Sequence, residues 1–134
     1  MPADAAWAEL IAAAALHGTA FQGPATNFYL ELCSDTPTAT VDGTPVAYTG
    51  YAGRVAMPHT HWTGDGAGNR VSNADVEFGT PSAGDSDTAT FVEFWSASSG
   101  GSRLAYEELD SPVTIDPDMP SVVFPSGQLH FNVA

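Results

Sequence analysis

Between Thr88 and Leu109 the chain alternates in the manner of a strand, turns, and alternates again. Phe91, Glu93 and Trp95 fall on one side and Val92 and Phe94 on the other, the period-2 pattern of an extended segment. Ser96 to Ser102 is a run of small residues containing Gly100-Gly101, a turn signal with permissive backbone dihedrals. Leu104 and Tyr106 resume the alternation, so the stretch predicts a β-hairpin. Its first arm carries large apolar groups on both faces, which predicts a central strand covered on both sides.

The same pattern recurs in shorter pieces. Asn27 to Cys33 sets Phe28, Leu30 and Leu32 against Tyr29, Glu31 and Cys33. Tyr51 to Met57, Val71 to Phe78, Val113 to Ile115, Ser121 to Phe124 and Gln128 to Val133 read as further strands. Between them lie turn-rich stretches. Ser34 to Gly50 reads as a long surface loop, Pro58 to Gly68 as a second irregular segment, and Gly79 to Asp87 as a linker.

One segment has a different period. Asp4 to Leu16 predicts a helix, capped by Asp4 and ended by His17-Gly18, with an apolar stripe of Trp7, Leu10, Ile11 and Leu16. The expected fold is therefore mainly β: an antiparallel β-sandwich of about eight short strands with one N-terminal α-helix. Residues 1–22 form the helix and connector, and residues 23–134 the β domain.

The length of 134 residues fits one such domain with a real core. A hydrophobic share of 43% excludes a disordered chain. The richest apolar run, Ala5 to Leu16, contains Glu9, has no basic start and is too short to span a bilayer, so no targeting or membrane segment is expected. Cys33 stands alone, which excludes an intramolecular disulfide and predicts a small buried thiol.

Charge changes the picture most. The chain has 16 acidic residues against 3 basic ones, a net charge of −13, and its cations are Arg54, Arg70 and Arg103, with no lysine. Such a surface repels itself at low ionic strength and is screened at molar salt, which points to a halophilic host. It also excludes nucleic acid and anionic membranes as partners, because few cations exist to displace counterions.

Candidate chemistry is sparse. In an extended segment His59 and His61 would face the same way and could meet one metal, but two histidines fall short of a structural zinc site. Asp116 and Asp118, or Asp85 and Asp87, offer oxygen ligands without the loop a calcium hand requires. No phosphate-cradling glycine loop and no nucleophile elbow occurs. Glu93 shares a face with Phe91 and Trp95, so burial would oblige it to find a partner, Arg54 or Arg103. That pair reads as structural, and neither an enzyme nor a cofactor or metal site is expected.

The order of segments resembles a known family. A short helix leads into His17-Gly18-Thr19-Ala20-Phe21 and Pro24-Ala25-Thr26-Asn27-Phe28-Tyr29-Leu30, then Ser34-Asp35-Thr36-Pro37. Gly50-Tyr51-Ala52-Gly53-Arg54-Val55 and Val71-Ser72-Asn73-Ala74-Asp75-Val76-Glu77-Phe78 follow, then the hairpin, and Val122-Val123-Phe124-Pro125-Ser126-Gly127-Gln128-Leu129. This layout is similar to small structural proteins of tailed phages, commonly labelled tail fibre proteins, whose fold class also serves in capsid decoration.

The resemblance implies a virion protein that binds other virion subunits. The first expectation is a decoration or cement subunit on the major capsid protein, at the outer capsid surface, assembled as a homo-oligomer, with a trimer as the first guess. The alternative is a tail or tail-fibre component that attaches to a host-surface glycan through Trp62. A halophilic enzyme is a distant third. The expected contact residues are Trp7, Leu10 and Ile11 on the helix, and Tyr48, Tyr51 and Trp62 in loops.

Overall fold

A computed structural model describes residues 27–64, 69–82 and 86–131, together with Leu16. These residues form nine strands: β1 (Asn27–Cys33), β2 (Val55–Pro58), β3 (Trp62–Gly64), β4 (Arg70–Ser72), β5 (Val76–Glu77), β6 (Asp87–Trp95), β7 (Arg103–Ile115), β8 (Val123–Phe124) and β9 (His130–Phe131). They pair into a four-stranded sheet of order β2-β1-β6-β7, a three-stranded sheet of order β3-β4-β9 and the ribbon β5-β8. Every strand pair is antiparallel. The expectation of a mainly β, antiparallel fold holds.

The expected hairpin is β6 and β7. β6 lies between β1 and β7, with Leu30 opposite Phe94 and Phe94 opposite Ala105. Val92, Glu93, Phe94 and Trp95 are all buried, as the two-faced apolar pattern required. One face of the large sheet, through Leu30, Leu32, Val92 and Phe94, packs on the smaller sheets to form the core. Phe94 meets Trp62 of β3 and Phe131 of β9, and Phe78 meets Phe124 edge to face. Such tilted ring pairs add to the area they bury.

Several boundaries differ from expectation. The return arm continues through Ser111-Pro112 to Ile115 as one strand, bulged opposite Ala89 to Phe91 and Phe94 to Trp95. Pro112 is tolerated there because β7 is an edge strand and its outer side needs no ladder donor. Val71 to Phe78 is two short strands, because its halves serve different partners. Val71 lies opposite His130, whereas Val76 lies opposite Phe124.

Ser34 to Gly50 is not wholly a surface loop. Val46 donates its N–H to Leu32 O, and Val46 and Tyr48 are core residues. The segment Pro58 to Gly68, expected to be irregular, contains a 3-10 turn at His59–His61 and then β3. The helix expected over Asp4 to Leu16, and with it the unit expected over residues 1–22, lies outside the described residues apart from Leu16. Leu16 is helical and 79% exposed.

Candidate functional site

The outer face of the large sheet carries the charged side chains that the alternation placed there. Glu31 and Glu93 are cross-strand neighbours on β1 and β6, and Tyr106 of β7 lies opposite Glu93. Each glutamate has its own arginine. Arg103 Nη1 donates to Glu93 Oε2 at 2.7 Å, and Arg54 Nε donates to Glu31 Oε2 at 2.8 Å. Of the two partners foreseen for Glu93, the structure selects Arg103.

Glu93 is fully buried and fully engaged. Its Oε2 also accepts from Gly43 N at 2.9 Å, and its Oε1 accepts from the Cys33 thiol at 3.1 Å. Burial, then the charge of Glu93, pushes the Cys33 thiol far up from its ordinary value. It is an inert buried thiol, as its strand position implied.

Both arginines hold loops as well as carboxylates. Arg103 donates through Nη1 to Val41 O at 2.9 Å and through Nη2 to Thr38 O. Thr38 Oγ1 in turn accepts from Val41 N at 3.0 Å, so the tip 38–41 is pinned from beneath and presents Val41 at 60% exposure. At the base of the same loop, Asp35 accepts from Thr44 N and from its hydroxyl, which holds the Asp35 carboxyl below its ordinary value. Arg54 stacks with its guanidinium 3.5 Å from the Trp95 ring centroid and donates to Ala97 O and Gly100 O, clamping the β6–β7 turn.

The second feature is a groove of about 200 Å³ between the outer edge of β7 and β8. Leu109, Val113, Val123 and Phe124 give it an apolar floor, and Asp110 and Gln128 stand at its rim. Val123 is 40% exposed. Asp110 is paired with His130 at 3.1 Å. Nothing in the sequence marked this groove, because its walls come from strands separated along the chain. The pinned 38–41 tip was hidden for the same reason, although the buried Glu93 was its signal.

The foreseen contact residues separate. Tyr48 is 6% exposed, and its hydroxyl donates to Phe78 O. Tyr51 stacks on Phe78, and its hydroxyl accepts from Leu32 N at 2.9 Å. Both rings are spent on the chain's own core and its margin, so neither is an exposed anchor. Trp62 is half-buried against Phe94, and its indole N–H is buried with no acceptor among the described residues. Trp7, Leu10 and Ile11 lie outside the described residues.

The metal candidates do not assemble. His59 and His61 sit in a 3-10 turn, not in the extended segment in which residues two apart share a face. Asp116 Oδ1 accepts from Asp118 N in a local turn, and Asp87 accepts from Ala47 N and Thr88 N. Asp85 lies outside the described residues. Among the described residues no group of three or more His, Cys, Asp or Glu is placed to hold a metal, and no helix is long and apolar enough to cross a membrane.

Among the described residues, the buried and half-buried charges serve to fix loops. The model of the family described as Podophage GP4 fiber I protein gp80 matches residues 2–132, so the chain belongs to that phage fibre family. No curated protein matches it.

Proposed function

We propose that this chain is a non-catalytic structural subunit of a virion, carried on the fibre, that works by binding other virion subunits. The observation that carries this reading is the match to a fibre family across residues 2–132. The site geometry supports it. The buried Arg103–Glu93 pair and the Arg54–Glu31 pair fix loop shape, as suits a subunit that presents rigid surfaces to neighbours. Symmetric self-association follows from symmetric placement on the particle, with a trimer as the first state to test. The net charge of −13 without lysine supports a halophilic host.

Immunogold electron microscopy on purified virions in high-salt buffer tests this, using antibody against this chain. Label confined to the tail fibres is the expected result. Dense label over the head would replace it with decoration of the major capsid protein. No label on any particle would remove the virion role.

A further inference from the structure

The groove between β7 and β8 is built at a bulge. From the pair Phe91–Glu108 to the pair Ala89–Val113, β6 covers two residues and β7 five. The surplus takes residues 109–112 out of the regular ladder and re-aims their side chains, as bulges do. Leu109 turns inward and is buried, whereas Asp110, Ser111 and Pro112 are exposed. Val113 and Phe124 continue the floor. Val123, 40% exposed, is one of three large apolar side chains left exposed among the described residues. At about 200 Å³ the groove is smaller than the roughly 300–1,000 Å³ of small-molecule sites, so it is sized for one or two side chains of a peptide lying across it.

We propose that this groove is a docking site for an extended, cation-bearing peptide segment of another virion subunit. The segment seats one aliphatic side chain on Leu109, Val113 and Val123 and aims a lysine or arginine at Asp110. The partner's identity as a virion subunit rests on the function proposed above.

Charge selects this occupant. Asp110 stands at the rim with its side chain 66% exposed, and His130 Nε2 lies 3.1 Å from its Oδ2. A carboxylate has two accepting oxygens, so that contact leaves capacity for a second donor. Glu108, two residues earlier on β7, is exposed as well. No lysine or arginine lines the groove. A second copy of this chain is a poor source of the cation. It brings 16 acidic residues against three arginines and no lysine, and Arg54 and Arg103 are already engaged by Glu31 and Glu93. An acidic segment would meet like charge at the rim, which is costly. Apolar burial on the floor supplies attraction that screening leaves intact, and the rim sets the choice of partner.

Peptide titration of the isotope-labelled full-length chain, followed by NMR, tests this. The probe is acetyl-Lys-Thr-Leu-Thr-Lys-amide, whose leucine and two lysines share one face when it is extended. The controls replace both lysines by glutamate, or the leucine by serine. The expected result is saturable shifts at the Val113 and Val123 methyl groups with the lysine peptide. Binding of the glutamate peptide should be about tenfold weaker, and the serine peptide should leave those methyl groups unmoved. Asp110→Asn should weaken the lysine peptide severalfold, and Val123→Asp should abolish its binding, with the core methyl signals reporting that each variant is folded. No shift at these methyl groups, shifts centred elsewhere, or equal affinity for the lysine and glutamate peptides would overturn the docking site. A chain that labels virions yet ignores the lysine peptide overturns the docking site alone. A chain that binds the peptide in the groove yet labels no particle overturns the partner's identity as a virion subunit.

Discussion

Arg103 and Glu93 meet at 2.7 Å with side chains 4% and 0% exposed, and the cation reaches on to the loop that covers them. A buried pair of this kind does not guarantee net stability, since desolvation offsets its attraction, but removing one partner strands the other. Arg103→Met leaves Glu93 buried without its cation, and should cost roughly 3–5 kcal/mol in urea unfolding. Arg103→Met with Glu93→Leu should cost less than the sum of the single changes, with a coupling of about 0.5–3 kcal/mol. Strict additivity would mean that the pair is not the unit holding the loop. Hydrogen exchange at Gly43 should accelerate in both single variants, because its N–H donates to Glu93.

A second expectation concerns alkaline pH. Burial raises the Cys33 thiol above its ordinary 9.0, with Glu93 adding to the shift, and burial raises the Tyr51 phenol above its ordinary 10.0. The folded state therefore holds both protons more tightly than the unfolded chain. Their contribution is complete below pH 9.0 and is lost as pH climbs through 9.0 and then 10.0, toward the raised folded values. The urea midpoint should be flat between pH 7 and 8.5 and fall above 9, by at most about 1.4 kcal/mol per pH unit for each group. Cys33→Ser should remove the earlier part of the fall. A midpoint that rises with pH in that range would contradict the assignment.

How much of this was legible in advance depended on whether a feature is local. Period-2 alternation located β1, β6 and the start of β7, because one residue in two must face a core. It also required a partner for Glu93, since a charge on a buried face cannot stay alone. It could not choose Arg103 over Arg54, because that choice follows from the register that sets Arg103 opposite Trp95 and Arg54 within reach of Glu31. Tyr48 and Tyr51 looked like exposed loop aromatics because irregular backbone resembles surface. Their segment is instead drawn into the core by Val46, which bonds Leu32 across the sheet edge. The groove beside β7 is assembled from residues 109–113 and 123–128, and no single window carries it.

Close backbone contact at two glycines gives a third expectation. Gly50 and Gly79 both have positive φ, +99° and +106°, and a Cβ on Gly79 would lie 2.1 Å from Gly50 O. A Cβ on Gly50 would lie 1.9 Å from Thr80 O. The obstacle in each case is backbone, which cannot swing aside. Gly79→Ala should cost at least the roughly 1–3 kcal/mol of left-handed strain, with the clash adding to it. Gly100→Ala is the control, because it shares a positive φ but meets nothing within 4 Å. Equal losses in the two variants would show that strain alone, without the Gly50–Gly79 approach, sets the cost.

The last expectation is salt dependence. With a net charge of −13, the folded surface concentrates carboxylates that the unfolded chain spreads apart. Screening lengths fall from about 10 Å at 0.1 M salt to about 3 Å at 1 M, so most of this repulsion should vanish over that range. The two arginine–glutamate pairs are buried or nearly so and should lose little, because buried pairs are weakly screened. The melting temperature should therefore rise with potassium chloride, steeply below 1 M and slowly above. Arg103→Met should lower the whole curve without changing its slope. A melting temperature that falls with salt would mean that ion pairs, not like-charge repulsion, dominate the electrostatics of this fold, and would remove the physical ground for a halophilic host.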